Sequence, residues 1–174
     1  LGTLERLTNQ VVDVSSIVAE RFVVECESFD LIALLAEQCM TWETQMAQRE
    51  LHFEVMLPEH EIQVIGDPLR TKEVVDHVLR NAMDYTLPGG HVELAVYTNG
   101  PHATVVVSDS GVGIARDEMA HVFERMFRGQ AAHAGDTDSR GMGLGLYLAR
   151  HIVERQGGQI SLVSQVNEGT IVHI

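Results

Sequence analysis

The sequence predicts an α+β fold: a two-layer sandwich of a mixed sheet packed on helices, preceded by an amphipathic helix. Three observations predict it. Pairs of short alternating segments recur along the chain, and stretches of helical periodicity separate those pairs. A heptad-like apolar seam near the start stands apart from both.

That seam is Leu4, Leu7, Val11, Val14 and Val18, with no Gly or Pro after Gly2, and it predicts one helix from residue 1 to about 24. A single apolar stripe suits docking on another helix, or equally on this same domain. Ser28-Phe29-Asp30 reads as a helix start, and residues 30 to 48 follow with Leu31, Leu34, Leu35, Cys39, Trp42 and Met46 on one face. Leu51, Phe53, Val55 and Leu57 alternate as a strand. Ile62 to Ile65 is a second strand, ended by Gly66-Asp67-Pro68. Pro68 suits the first turn of the helix predicted over 68–86. Leu87-Pro88-Gly89-Gly90 is a turn. His91 to Tyr97 and Thr104 to Val107 are strands, with the hairpin signal Asn99-Gly100 between them. Residues 129 to 142 lack periodicity and read as a mobile loop. Leu144 to Gln156 reads as a helix closed by Gly157-Gly158. Ile160 to Val163 and Thr170 to Ile174 are closing strands joined through Asn167-Glu168-Gly169.

Composition narrows the function. With 45% hydrophobic and only 5% aromatic residues, the core is built mainly from Val, Leu, Ile and Met. The net charge is −13, the only Lys is Lys72, and the Arg residues are scattered, so a nucleic-acid partner is excluded. Cys26 and Cys39 form neither a disulfide framework nor a metal spacing, and read as reduced thiols of a cytosolic protein. No apolar run approaches the ~18 residues of a membrane span.

Three constellations carry chemistry. On the helix at 68–86, Val74, Val75, Val78, Leu79, Ala82 and Met83 form one face, while His77, Asn81, Asp84 and Tyr85 sit over adjacent turns of another. The Asn81 amide oxygen is a hard donor that suits Mg²⁺; alone, it is as readily a surface residue. Asp109-Ser110-Gly111-Val112-Gly113-Ile114 follows a strand. There a carboxylate can accept from an exocyclic amine such as adenine N6 and glycines admit a flat ring, or the run is simply a turn. Gly141-Met142-Gly143-Leu144-Gly145-Leu146 opens a helix and leaves N–H groups that can cradle phosphate; it lacks the Gly-Lys-Ser/Thr of a P-loop.

In this order the three constellations resemble the ATP-binding domain of histidine kinases, in the superfamily shared with gyrase, heat-shock chaperone and mismatch-repair ATPases. Val78-Leu79-Arg80-Asn81-Ala82 with Tyr85 resembles the asparagine box, Asp109 to Ile114 the first glycine box, and Phe123-Glu124-Arg125-Met126-Phe127-Arg128 the phenylalanine box. Gly141 to Leu146 resembles the second glycine box, and Gly169-Thr170 the pair that opens the last strand. The resemblance implies a Bergerat-type ATP-binding fold over residues 27–174, with 1–26 similar to the end of a dimerisation helix and a linker. It further implies that ATP is bound by Asn81, Tyr85, Asp109, Gly111, Gly113, Ile114, Arg128, Gly141, Gly143, Leu144, Gly145, Leu146 and Thr170. In detail, Asn81 would hold Mg²⁺, Asp109 would take the adenine amine with Thr170 helping through water, and Tyr85 and Ile114 would pack near the ring. Arg128 and the backbone of 143–146 would contact phosphates under a lid formed by residues 128–142.

Two positions depart from the family's pattern. His77 stands where Asn is common, open between a ligand, a phosphate contact and a plain helix-face residue, and Asp84 stands where Lys is common. The Glu with which related ATPases activate water is missing at 77, which favours a kinase over a conformational ATPase or a nucleotide-free interaction module. None of the nine His residues has the phosphoacceptor context, so the acceptor would lie upstream of Leu1. The implied partners are the dimerisation and phosphoacceptor domain of the same kinase, a response regulator, and a second copy in a homodimer. The implied location is the cytoplasm, with a parent protein that is often membrane-anchored.

Overall fold

The computed structural model of the chain describes residues 8, 10, 12–17, 19, 21–129 and 142–174. Leu4, Leu7, Val11 and Val18 of the seam, Gly141, and the lid expected at 128–142 except for its ends lie outside the described residues.

Residues 12–17 are helical, and 21–26 run without helix. The predicted helix therefore stops short of residue 24. A strand, β1 (Glu27–Asp30), follows where a helix start was expected. It pairs antiparallel with β3 (Gln63–Gly66), Glu27 opposite Gly66, in a separate two-stranded sheet. The helix signal was still partly right: Asp30 is the N-cap of α1 (Leu31–Gln48), and its carboxylate accepts from the Ile32 N–H at 3.0 Å. A residue that ends a strand and caps a helix carries both signals, and only the pairing with β3 separates them.

The main sheet has five strands in the order β2 (His52–Met56), β4 (His91–Asn99), β5 (His102–Asp109), β7 (Gly169–His173), β6 (Ser161–Gln165). Only β2 and β4 are parallel; the other pairs are antiparallel. The β4–β5 hairpin is longer at both ends than the alternation predicted. At the sheet edge, Val55 of β2 is exposed, because half of an edge strand's surroundings is solvent.

Two helices cover one face. Leu35, Trp42 and Met46 of α1 and Val75, Val78 and Leu79 of α2 (Pro68–Tyr85) pack on Val92, Leu94, Val105 and Val107 of the sheet. Asp76 ties the two helices: its Oδ1 accepts from Trp42 Nε1 at 2.7 Å and from Gln38 Nε2 at 3.0 Å. The third helix, α3 (Gly145–Arg155), packs Ala149, Ile152 and Val153 on Val74 of α2 and on Phe22 of the incoming chain.

Asp67 is the N-cap of α2. One of its carboxylate oxygens accepts from Arg70 N and the other from Glu25 N, both at 3.0 Å, so the cap also fixes the linker. Cys26 and Cys39 are both unbridged. Cys39 is buried, and burial together with the Glu43 charge pushes its thiol up to about 11, which keeps it protonated. Among the described residues no helix is long and apolar enough to cross a membrane.

Candidate functional site

Strand alternation places Asp109. Val105, Val107 and Asp109 are two apart on β5, so all three side chains project from the same face toward the helices. Thr170 of β7 stands opposite Asp109, and Val172 opposite Val107. The Asp109 carboxylate is thus carried into the apolar layer. Burial pushes it up to about 6, while the backbone N–H groups of Gly111 and Thr170 pull it down; the Gly111 bond measures 2.8 Å. Burial wins, but the two donors fix the carboxylate in place.

The loop after β5 is pinned on both sides. Val112 N donates to Tyr85 O of α2 at 3.1 Å, and Asn167 N of the β6–β7 turn donates to Val112 O at 2.9 Å. Ile114 N donates to Ser164 Oγ at 2.9 Å, and that hydroxyl also meets Thr170 Oγ1 at 2.9 Å. Gly113 has φ +68°, and a Cβ there would run into the Gln165 carbonyl, so only glycine fits. Thr170 thus acts on the site through its backbone N–H to Asp109 and its hydroxyl to Ser164.

Above this floor runs a cleft lined by His77, Asn81, Asp84 and Tyr85 of α2, by Asp109, Gly113, Ile114 and Thr170, and by Gly143, Leu144, Gly145 and Leu146. Arg80, Phe127 and Arg128 line it as well. Of the described residues expected to bind nucleotide, all but Gly111 line this cleft, and Gly111 acts from behind through its N–H to Asp109. Gly143 has φ +70° against the Phe127 carbonyl, and its own carbonyl accepts from Met126 N at 3.0 Å, which seats the 123–128 segment over the cleft. Leu144, the N-cap of α3, makes no side-chain cap hydrogen bond, so the first-turn N–H groups depend on other partners.

His77 is no surface residue. It is 7% exposed, its Nε2 stands 3.6 Å from Glu73 Oε1, and its Nδ1 faces Gly145 in the first turn of α3. Burial pushes Glu73 up, but His77 and Arg70 together hold it below its ordinary value. Asp84 lies 3.9 Å from Arg49 Nη2, so a cation from beyond α1 approaches the position where Lys was expected. Sequence reasoning missed several lining residues: Gln10, Glu118, Val122, Leu162 and Val172. No spacing marks them, because three separate segments and the N-terminal helix bring them together only in the fold.

The family model described as "Histidine kinase-, DNA gyrase B-, and HSP90-like ATPase" matches residues 66–174. The circadian input-output histidine kinase CikA of Synechococcus elongatus is 31% identical over 96% of the chain and 22% of its own length. A solved mycobacterial sensor histidine kinase, MprB, is 31% identical with a TM-score of 0.73, covering 84% of this chain and 95% of that one. ShkA, solved full-length in complex with AMPPNP, shares the fold at 21% identity, with a TM-score of 0.82 over 98% of this chain and 35% of its own. The chain belongs to this ATPase family, as a histidine kinase catalytic domain. It spans about a quarter of the length of the curated relatives it matches.

Proposed function

We propose that the cleft binds Mg-ATP and that the domain donates the γ-phosphoryl group to a histidine on the dimerisation domain of the same kinase, outside this chain. The observation that carries this is the line of the cleft. Tyr85, Asn81 and His77 lie at successive turns of α2, spanning a rise of ~12 Å from the Asp109 floor toward the N-terminus of α3. That span suits adenine at one end and phosphates at the other.

Each residue then has a task. The Asp109 carboxylate accepts the adenine amine N–H, with Thr170 assisting, and Tyr85 and Ile114 pack near the ring beside the Gly111 and Gly113 backbone. The N–H groups of residues 143–146 and the Arg128 guanidinium receive the phosphates. Asn81 fits a magnesium ion as a single neutral oxygen donor, since Mg²⁺ takes most of its shell from phosphates and water. When bound, the ion supplies neutralisation of phosphate charge. The protein's share of catalysis is positioning and electrostatic stabilisation. By the same reading the parent kinase acts as a homodimer in the cytoplasm and passes the phosphoryl group to a response regulator.

Calorimetry with Mg²⁺ and ATP on the chain and on Asp109→Asn, with phosphate release followed in the same samples, tests this. Binding abolished by the substitution, with negligible release, is the expected result. Sustained release would replace the kinase reading with a conformational ATPase, and absence of binding would leave an interaction module.

A further inference from the structure

Gln10 reaches the cleft from the N-terminal helix, outside the catalytic domain. It lines the cleft, is 4% exposed, and its Oε1 has no hydrogen-bond partner among the described residues. His77 lines the same cleft, and its Nε2 is also unanswered among those residues. Polar atoms buried without partners are unfavourable, so two in one cleft mark a place for a polar ligand group.

Both side chains lie at the end away from adenine. His77 is two turns of α2 beyond Tyr85, with its Nδ1 facing Gly145. Val14, one turn on from Gln10, packs on Leu144 and Leu148 of α3. An ionic row holds the helix there. Arg70 reaches both Asp13 oxygens at 3.1 Å and Glu73 Oε2 at 2.7 Å, and stacks over Phe22 at 4.7 Å. The row ends at His77, where Glu73 Oε1 faces Nε2 at 3.6 Å.

We propose that Gln10 and His77 form the subsite for the terminal phosphate of the bound nucleoside triphosphate, so that the docked N-terminal helix completes the nucleotide site. This rests on the reading of the cleft as a nucleotide site. A half-turn of the Gln10 amide places its NH₂ where Oε1 stands, at no loss, since that oxygen bonds nothing among the described residues. The His77 ring N–H at Nε2, answered by no group among the described residues, is then a second donor for a phosphate oxygen. A nucleoside diphosphate lacks the group this subsite holds, so the two nucleotides separate it from the rest of the cleft.

Titration calorimetry with Mg²⁺ and either ATP or ADP, on the whole chain and on Gln10→Leu and Gln10→Glu, tests the assignment. Gln10→Leu is expected to weaken ATP about tenfold, the scale of a lost hydrogen bond to a charged group, and to leave ADP within about twofold. Gln10→Glu sets a like charge against the phosphate and weakens ATP further. Its conserved shape guards against a packing artefact of the leucine. An ATP-to-ADP affinity ratio unchanged in both variants overturns the proposal while leaving the cleft reading intact. Failure of the unsubstituted chain to bind either nucleotide overturns both.

Discussion

Asp109 shows how one residue trades stability for recognition. Its carboxyl titrates near 6 because burial outweighs the Gly111 and Thr170 donors. The folded state therefore holds the proton more tightly than the unfolded chain, whose value is 3.8. That contribution is complete below 3.8 and is lost as pH rises from 3.8 through 6. Above that window the folded protein carries an ionised, partly desolvated carboxylate at a cost of about 1–3 kcal/mol. Asp109→Asn is thus expected to raise the Tm at pH 8 by a few degrees while abolishing nucleotide binding. Scanning calorimetry at pH 4 and pH 8 checks it, since the gain should vanish at pH 4. The ionised carboxylate is the stronger acceptor for an adenine N–H, so ATP affinity falls below pH 6. At pH 5.5 binding should release a proton, read as a binding heat that changes with the ionisation enthalpy of the buffer.

Among the elements, α2 is fastened at its start, its middle and its end. Asp67 caps the start, Asp76 binds α1 at the middle, and the Tyr85 carbonyl holds the glycine loop at the end. Asp76→Ala would leave the buried Trp42 N–H unanswered, while Gln38 keeps its bond to the Lys72 carbonyl, and urea unfolding should show a loss of about 1–3 kcal/mol. Asp67→Ala removes the cap and the linker bond together, and the same measurement should show about 1–2 kcal/mol. Much of this scale was legible in the sequence. The apolar faces of α1 and α2 and the hairpins follow their periods, because side-chain period reports which face is covered. β1 was not legible: four residues with no alternation become a strand only by pairing with β3.

At the scale of the whole molecule, the N-terminal helix is seated by the Arg70 pair with Asp13 and by Val14 and Phe22. Arg70→Ala is expected to speed hydrogen exchange of residues 12–17 by at least an order of magnitude while leaving the β4–β5 amides unchanged, because local opening follows local contacts. Incubation of the chain with labelled ATP should leave no phosphoimidazole on it; label on any of its nine His would contradict an acceptor outside the chain.

The sequence by itself determined the α+β class, the core faces of α1 and α2, and the motifs of the cleft from Asn81 to Thr170, because each depends on local period, turn chemistry or the spacing of a few residues along one segment. The tertiary structure alone decided that Asp109 is buried deeply enough to titrate near 6, that His77 turns inward between Glu73 and α3, that Arg49 approaches Asp84, and that Gln10 enters the cleft. Those facts depend on groups far apart in the chain meeting in a medium of low polarity, and no local pattern records which groups will meet.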